Sequence, residues 1–249
     1  MKVCKSIALP TATLLGAASA QAGPPLSIED PGILEPGQWE IITATTATSY
    51  DSTDIYQLPA LDISVGVIAE KVQLSIAYPY VFVDPGTGES DSDFGNPEIG
   101  VKWRFYNSDG LQLAIAPGYS FGITRSVAEI GVGEDTGVAV LPLAAEYEIN
   151  ERWRLNGEVG YAYLDHDRDE VTYGAALANG LNDRWELLFE LSGATVSGLD
   201  DSVLNARVGF DYAIREDFHL LLSTATGIHE PDGEVALDYD IYLGLQFFL

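Results

Sequence analysis

The chain has 249 residues, with 12 lysines and arginines against 38 aspartates and glutamates, for a formal net charge of −26. This acidic balance excludes binding of DNA or RNA through the phosphate backbone, which requires a basic surface. The single cysteine excludes a disulfide framework and a four-cysteine metal site, and a hydrophobic content of 47% excludes a chain disordered by its charge.

Residues 1–22 have the composition of a cleaved secretory signal peptide. Lys2 and Lys5 precede a mostly apolar stretch, and Ala20-Gln21-Ala22 forms a small-x-small cleavage site. A transmembrane anchor helix is the alternative interpretation, but the apolar stretch is short for one. We therefore expect an exported mature chain that begins at Gly23.

Residues 23–37 are rich in proline and glycine and predict an irregular segment. From residue 38 onward, apolar and polar residues alternate with a period of two, which is typical of β-strands whose two faces have different surroundings. The longest run is the last, in which every second residue from Val235 to Leu249 is apolar or aromatic. The predicted organisation is a signal peptide (1–22), an irregular periplasmic or plug-like segment (23–37) and an outer-membrane β-barrel (38–249).

Turn-forming residues divide the barrel region into twelve predicted strands. These cover residues 38–48, 56–67, 72–83, 97–106, 111–123, 136–149, 152–164, 171–181, 184–195, 203–214, 218–228 and 235–249. Five connections are tight and six are longer and acidic, and an even strand number with one short-turn end and one long-loop end is typical of outer-membrane barrels. Pro79, Pro117 and Pro142 fall within predicted strands, where we expect bulges or local breaks.

Three observations place the apolar face on the outside of this barrel. Twelve strands enclose more space than apolar side chains can fill, and the other face carries small and charged residues that suit a wet interior. Aromatic residues also gather near both ends of the apolar face, as they do at the two interfaces of a membrane. Those near the tight turns are Trp103, Trp153, Trp185 and Phe218, and those toward the long loops are Tyr78, Tyr80, Phe82, Tyr119, Phe121, Tyr161, Tyr163 and Tyr239.

The predicted fold class is therefore all-β: a transmembrane antiparallel up-and-down barrel of about twelve strands, with both termini in the periplasm. A soluble periplasmic β-sandwich, with the aromatic residues scattered through its core, is the alternative interpretation of the same alternation.

Several short stretches resemble a family of outer-membrane transporter-like barrels, grouped with the protein of the meta-pathway of phenol degradation. The resembling stretches are Asp30-Pro31-Gly32, Gln38-Trp39-Glu40, the run from Asn96 to Phe105, and the run from Leu113 to Tyr119. The resemblance covers most of residues 28–249. It implies an outer-membrane barrel of about this size that passes small, often aromatic or hydrophobic, molecules, and it supplies no catalytic residues.

Charged residues on the polar face are the candidate pore-lining residues. By strand parity they are Asp62, Glu98, Lys102, Arg104, Glu146, Arg154, Glu158, Glu186, Glu190, Arg207, Asp211, Asp238 and Asp240. One interpretation is a charged pore wall that sets selectivity, with a weak preference for cations because acids are in excess. The other is a network of ion pairs across the barrel that holds it rigid.

Metal binding and catalysis receive little support from the sequence. The acidic loops lack the glycine-anchored spacing of an EF-hand, and no cluster of histidine and acidic residues has zinc-ligand spacing. No Gly-x-Ser-x-Gly motif occurs, and the three histidines are His166, His219 and His229. We expect no enzyme activity, no cofactor and no metal.

The functional prediction is a passive channel or transporter for small molecules, located in the cell outer membrane of a Gram-negative bacterium. The expected partners are outer-membrane lipid and lipopolysaccharide, the barrel assembly machinery and a small-molecule solute, and we expect no nucleic acid. The last strand resembles the terminal signal read by that machinery. The alternative function is a structural or surface-interaction barrel with a closed lumen.

Overall fold

A computed structural model describes residues 23–51, 53–86, 90–122, 137–164, 169–196, 202–231 and 235–249. The predicted signal peptide lies outside these residues, as do the middle parts of the long acidic loops. The strands are β1 (Trp39–Tyr50), β2 (Thr53–Ile68), β3 (Val72–Asp84), β4 (Asp91–Phe94), β5 (Glu98–Ser108), β6 (Leu111–Ile115), β7 (Gly118–Ser120), β8 (Val138–Asn150), β9 (Trp153–Leu164), β10 (Glu170–Asn182), β11 (Trp185–Thr195), β12 (Ser202–Arg215), β13 (Phe218–His229) and β14 (Leu237–Phe248).

The strands form one closed antiparallel sheet. Most strands pair with their neighbours in sequence, and β1 pairs with β14. Strand β5 pairs with β3 instead of β4, and both β6 and β7 lie between β5 and β8, which completes the ring. Because β4 and β5 occupy one place in the ring and β6 and β7 another, the wall has twelve strands. The predicted fold class is confirmed.

Each of the three predicted proline irregularities is present. Ala116 and Pro117 separate β6 from β7, and beside Pro79 the register of the neighbouring strand β2 shifts. Strand β8 runs through Pro142, but its ladder with β6 and β7 is interrupted there, between the pair Ile115–Leu143 and the pair Gly118–Val140. The Pro142 carbonyl accepts a hydrogen bond from Ala116 N at 3.1 Å, and the reciprocal bond is missing because proline has no N–H to donate.

Strand β4 was not predicted, since it lies in what the sequence indicates is an acidic loop. Its residues pair with the long-loop end of β3, from Tyr80 opposite Phe94 to Val83 opposite Asp91. The Phe94 ring also stacks on Tyr78 with centroids 5.1 Å apart. The pairing is a tertiary effect, since aspartate and serine have low strand propensity by themselves.

The two faces of the wall differ as the alternation predicts. Along β3, Leu74 and Ile76 are exposed on the outside, while Gln73 and Ala77 are buried inside. The exposed outer face continues round the ring with Ile99, Val101, Leu141, Leu143, Leu155, Val159, Phe189, Leu191, Val208, Ile241 and Leu243. Trp39, Trp103 and Trp185 lie on this face near the short turns, and Tyr161, Tyr163 and Tyr239 lie near the long loops. An apolar band between two aromatic girdles is the surface that a bilayer requires.

Local chemistry explains the short turns. Asp109 and Gly110 both have positive φ, 54° and 76°, which is the geometry of the Asp-Gly hairpin turn between β5 and β6. The turn after β8 is closed by Asn150, whose Oδ1 accepts hydrogen bonds from the N–H groups of Arg152 and Trp153. Within the described ranges, no helix is long and apolar enough to cross a membrane.

Candidate functional site: the lumen

The inner face of the wall is polar and small rather than apolar. Ser64, Gln73, Asn156 and Ser223 are buried there, beside alanines such as Ala176. Buried polar groups need hydrogen-bond partners, so these side chains call for water or another polar chain in the space they enclose. This enclosed space is the lumen.

Residues 23–37 occupy the lumen as an irregular chain, which we call the N-terminal segment. Its backbone bonds to carboxylates of the wall: Ser27 N donates to Glu190 Oε2 at 2.8 Å, Ile28 N donates to the same oxygen at 3.2 Å, and Glu29 N donates to Glu158 Oε2 at 2.6 Å. The Ser27 hydroxyl also bonds to the Glu190 carboxylate. Hydrogen bonds to a charged acceptor are about twice as strong as neutral ones.

Further bonds attach the N-terminal segment to the rest of the ring. Leu34 N donates to Gln73 Oε1 on β3 at 3.1 Å, and the Ser223 hydroxyl on β13 donates to the Pro25 carbonyl at 2.7 Å. Strand β3 and strand β11, which carries Glu190, are six places apart in the ring of twelve. The segment therefore spans the full width of the lumen.

Two glycines of the wall allow the N-terminal segment to pack closely against the backbone of the strands, because they have no side chain. A Cβ on Gly66 would lie 2.2 Å from the carbonyl oxygen of Glu35, and a Cβ on Gly174 would lie 2.4 Å from Cγ2 of Ile28. Both distances are far below van der Waals contact, so any larger residue would push the segment away. Gly66 also lies opposite Pro36 in an isolated parallel bridge, at the point where the chain leaves β1 and turns into the lumen.

Lys102 on β5 connects the wall to the acidic part of the N-terminal segment. Its ammonium lies 2.6 Å from Glu29 Oε1 and 3.8 Å from Asp30 Oδ2. Glu29 is 4% exposed. Burial raises the pKa of its carboxyl from the ordinary 4.5 to about 7, and the Lys102 ammonium opposes that rise.

A cavity of about 290 Å³ remains between the N-terminal segment and the wall. Its lining includes Glu40 and Asp62 from the wall, Glu29 and Asp30 from the segment, and Lys102 between them. The lumen therefore contains a small chamber that is lined mainly by acidic side chains among its charged residues.

Comparison with known proteins identifies the family. A family model described as "Putative MetA-pathway of phenol degradation" matches residues 28–233. The chain belongs to this family. The predicted resemblance is confirmed, and no curated protein matches the chain.

Solved structures similar to this family member are outer-membrane barrels. An outer membrane channel from Pseudomonas putida F1 has a TM-score of 0.65 at 13% identity, over 88% of this chain and 98% of that one. The NanC porin has a TM-score of 0.60 at 7% identity, over 83% and 98%. The CymD monoaromatic hydrocarbon channel has a TM-score of 0.50 at 9% identity, over 86% and 88%. At these identities the likeness shows the fold, and the chain is a multi-pass β-barrel of the outer membrane.

The structure gathers six of the thirteen predicted pore residues of this family barrel into two ion-pair groups. Arg154 bonds to Glu146 at 3.2 Å and to Glu186 at 2.9 Å. Arg207 lies 2.7 Å from Asp240 and 3.6 Å from Glu190. The other seven predicted residues lie in separate places. Lys102 and Glu158 contact the N-terminal segment, and Asp62 lines the cavity.

The last four of the predicted residues bond through their side chains to neither the segment nor the two ion-pair groups in the described ranges. Glu98 is buried, and Arg104 bonds to Gln112 near the short turns. Asp211 bonds to His219, and Asp238 is exposed at the long-loop end.

Strand parity missed the partners contributed by the N-terminal segment and by uncharged residues. Glu29, Gln73 and Ser223 all bond across the lumen, and Gly66 and Gly174 make room for the segment. The only sequence signal for the segment is its proline and glycine content, which predicts irregular structure but no location. Among the described residues, no group of three or more His, Cys, Asp or Glu side chains is arranged to hold a metal ion.

Proposed function

We propose that the chain is a passive channel for small molecules, aromatic or hydrophobic ones among them, and that the N-terminal segment is its plug. The observation that carries this proposal is that an irregular segment of chain crosses the lumen from β11 to β3 and is held there by hydrogen bonds to side chains of the wall. A lumen filled by its own wall could not open without unfolding, whereas an irregular segment can leave and uncover a polar passage.

The names of the similar proteins support a channel rather than an enzyme, since they are an outer membrane channel, a porin and a monoaromatic hydrocarbon channel. The predicted pore-lining residues would then border the passage once the N-terminal segment moves. Acidic side chains on the lumen wall favour cations over anions in such a passage.

The second candidate function is a structural or surface-interaction barrel with a permanently closed lumen. The two ion-pair groups around Arg154 and Arg207 favour it, because they cross-link strands on the inner face, including the pairs β9–β11 and β12–β14 that are not direct neighbours. In that case function would reside in the long loops.

Conductance measurements in planar bilayers distinguish the channel from the closed barrel. The mature chain is compared with a variant that lacks residues 23–37, and both are first shown to be folded by heat-modifiable gel mobility. For a channel we expect single-channel steps that become larger and longer-lived in the shortened variant. Silence of both proteins at high loading would contradict the channel and favour the closed barrel.

Growth experiments with a deletion strain can identify the class of solute that the channel passes. A deletion strain is grown on limiting aromatic and aliphatic carbon sources, with the intact gene and the shortened variant as complements. Slower growth of the deletion strain on one class, restored by the intact gene, identifies the solute class. Equal growth on every source tested would contradict uptake of those compounds.

We also propose outer-membrane lipid, lipopolysaccharide and the barrel assembly machinery as partners. The apolar band with its aromatic girdles supports contact with lipid. The alternation of β14, where Tyr239, Ile241 and Leu243 face outward, supports recognition of the last strand during assembly.

A further inference from the structure

The acidic cavity contains two carboxylates without a cation. Lys102 pairs with Glu29 at 2.6 Å and lies near Asp30, so its positive charge is balanced by these two carboxylates of the N-terminal segment. Of the two wall carboxylates, Glu40 accepts a hydrogen bond from Gln246 Nε2 at 2.6 Å, and Asp62 accepts one from the Ser64 hydroxyl at 3.4 Å. Both donors are neutral, and neither carboxylate has a basic side chain within ion-pair distance in the described part of the chain.

A third carboxylate lies close enough to Asp62 to act on it electrostatically. It belongs to Glu98, which is 6% exposed and forms no ion pair within the described ranges. Glu98 is outside the lining of the cavity, so it would touch no ligand there. Because burying an unpaired carboxylate is costly, a cation at Asp62 would also be favoured by this neighbouring group.

An apolar pocket of about 40 Å³ adjoins the acidic cavity. It shares Asp62 and Ile42 with that cavity, and its other lining includes Ala44, Ala60 and Pro79. It has room for only a small apolar group, so an aromatic group on a ligand held at Asp62 would lie in the larger cavity, against Ile42.

We propose that the acidic cavity and its apolar neighbour together bind a small organic ammonium ion that carries an aromatic or short aliphatic group. The ammonium lies between Asp62 and Glu40 and donates hydrogen bonds to both carboxylates, while the apolar group lies in the cavity against Ile42, which the cavity shares with the adjoining pocket. A cavity near the lower limit for ligand sites, roughly 300 Å³, suits a ligand of this size. The inference rests on the proposed channel function, through which such ions would reach the cavity.

Three probes of similar shape and different charge test the inference: benzylamine, benzyl alcohol and benzoate. Binding of each to the whole folded barrel in nonionic detergent is measured by titration calorimetry at neutral pH. We expect benzylamine to bind at least tenfold more tightly than benzyl alcohol, and benzoate to show no binding. Equal affinities for the amine and the alcohol would overturn the inference with no variant needed.

Asp62→Asn and Glu40→Gln each remove one charge with little change of shape. We expect each to weaken benzylamine binding at least tenfold and to leave benzyl alcohol binding unchanged, whereas Glu151→Gln, in an exposed turn, leaves both unchanged. Unaltered benzylamine binding in both cavity variants would overturn the inference.

Failure of this site and failure of the channel are distinguishable. Calorimetry on the detergent-solubilised barrel requires no flux, so a barrel that is silent in bilayers can still bind the amine. A barrel that conducts but binds the amine no better than the alcohol contradicts the site alone.

Discussion

The wall and the N-terminal segment inside it are held by different kinds of bond. Strands such as β10 and β11 share ten or more directly opposed residue pairs, and every strand except the short β4 pairs with a neighbour on both sides. The N-terminal segment has one isolated bridge to the wall, together with side-chain bonds to residues such as Glu190, Glu158 and Gln73. The wall is therefore cooperative, whereas the segment can be released by the loss of a few contacts.

The difference would allow one chain to be a membrane barrel and, as proposed, a valve. In lipid every backbone polar group of the wall must be paired, so the wall cannot open locally at low cost. The N-terminal segment lies among polar side chains that water can replace. If the segment leaves as proposed, its lost hydrogen bonds can be remade with solvent.

The strongest test of this contrast places proline in each region. Ala176 is 2% exposed in the middle of β10, between β9 and β11, and Ala176→Pro would remove a ladder bond and disturb both pairings. We expect no folded barrel by heat-modifiable gel mobility. Ile33→Pro in the N-terminal segment is the matched change, and we expect it to assemble normally. A folded Ala176→Pro barrel would contradict the assigned cooperativity of the wall.

The next largest effect is expected at Glu190, which holds Ser27 and Ile28. Glu190→Gln replaces one acceptor oxygen by a donor and removes the charge, and hydrogen bonds to charged groups contribute about 1.5–3 kcal/mol each. We expect the open fraction of single channels to rise by about tenfold or more, given that about 1.4 kcal/mol is a tenfold change in equilibrium.

Glu186→Gln is the control for this change. Glu186 lies on the same strand and pairs with Arg154 instead of the N-terminal segment. An equal rise of the open fraction in both variants would show that general loosening of the wall, and not release of the segment, opens the channel.

A smaller effect is expected from the glycine beneath the segment. Gly66→Ala places a Cβ where the Glu35 carbonyl now lies, so the N-terminal segment must shift. We expect more frequent openings with an unchanged midpoint of urea unfolding. Gly157→Ala is the control, since the nearest heavy atom to its new Cβ would be 3.8 Å away. Unaltered gating in Gly66→Ala would contradict the close fit of the segment to β2.

The wall was predictable from the sequence because a period of two fixes the face of each residue once the strand is known. The period thus places Lys102 and Glu190 on the inner face without reference to any contact. Strand β4 was missed because residues such as Asp91 have loop propensity, and pairing with β3 overrides it. The bond between Ser27 and Glu190 joins residues 163 apart in the chain, and an irregular segment has no period from which to derive its neighbours.

The smallest expected effect concerns the wall alone. Asn150 and Asn182 close equivalent turns, since each Oδ1 accepts two backbone N–H groups at 3.0 and 3.2 Å. Asn150→Ala leaves those donors to water, and we expect a loss of about 1 kcal/mol in the free energy of unfolding, measured by urea titration in lipid vesicles. Asn182→Ala should lose a similar amount, and the double variant should lose the sum because the turns share no contact.

Glu151→Ala, in the same turn as Asn150, is the control and should change the free energy of unfolding little. All of these turn variants should gate as the unaltered chain does, because neither asparagine touches the N-terminal segment. A change of open fraction in Asn150→Ala would show that wall stability and segment docking are coupled. Unchanged gating together with the expected loss of stability would separate the two regions, since a weaker wall would then leave the valve unaffected.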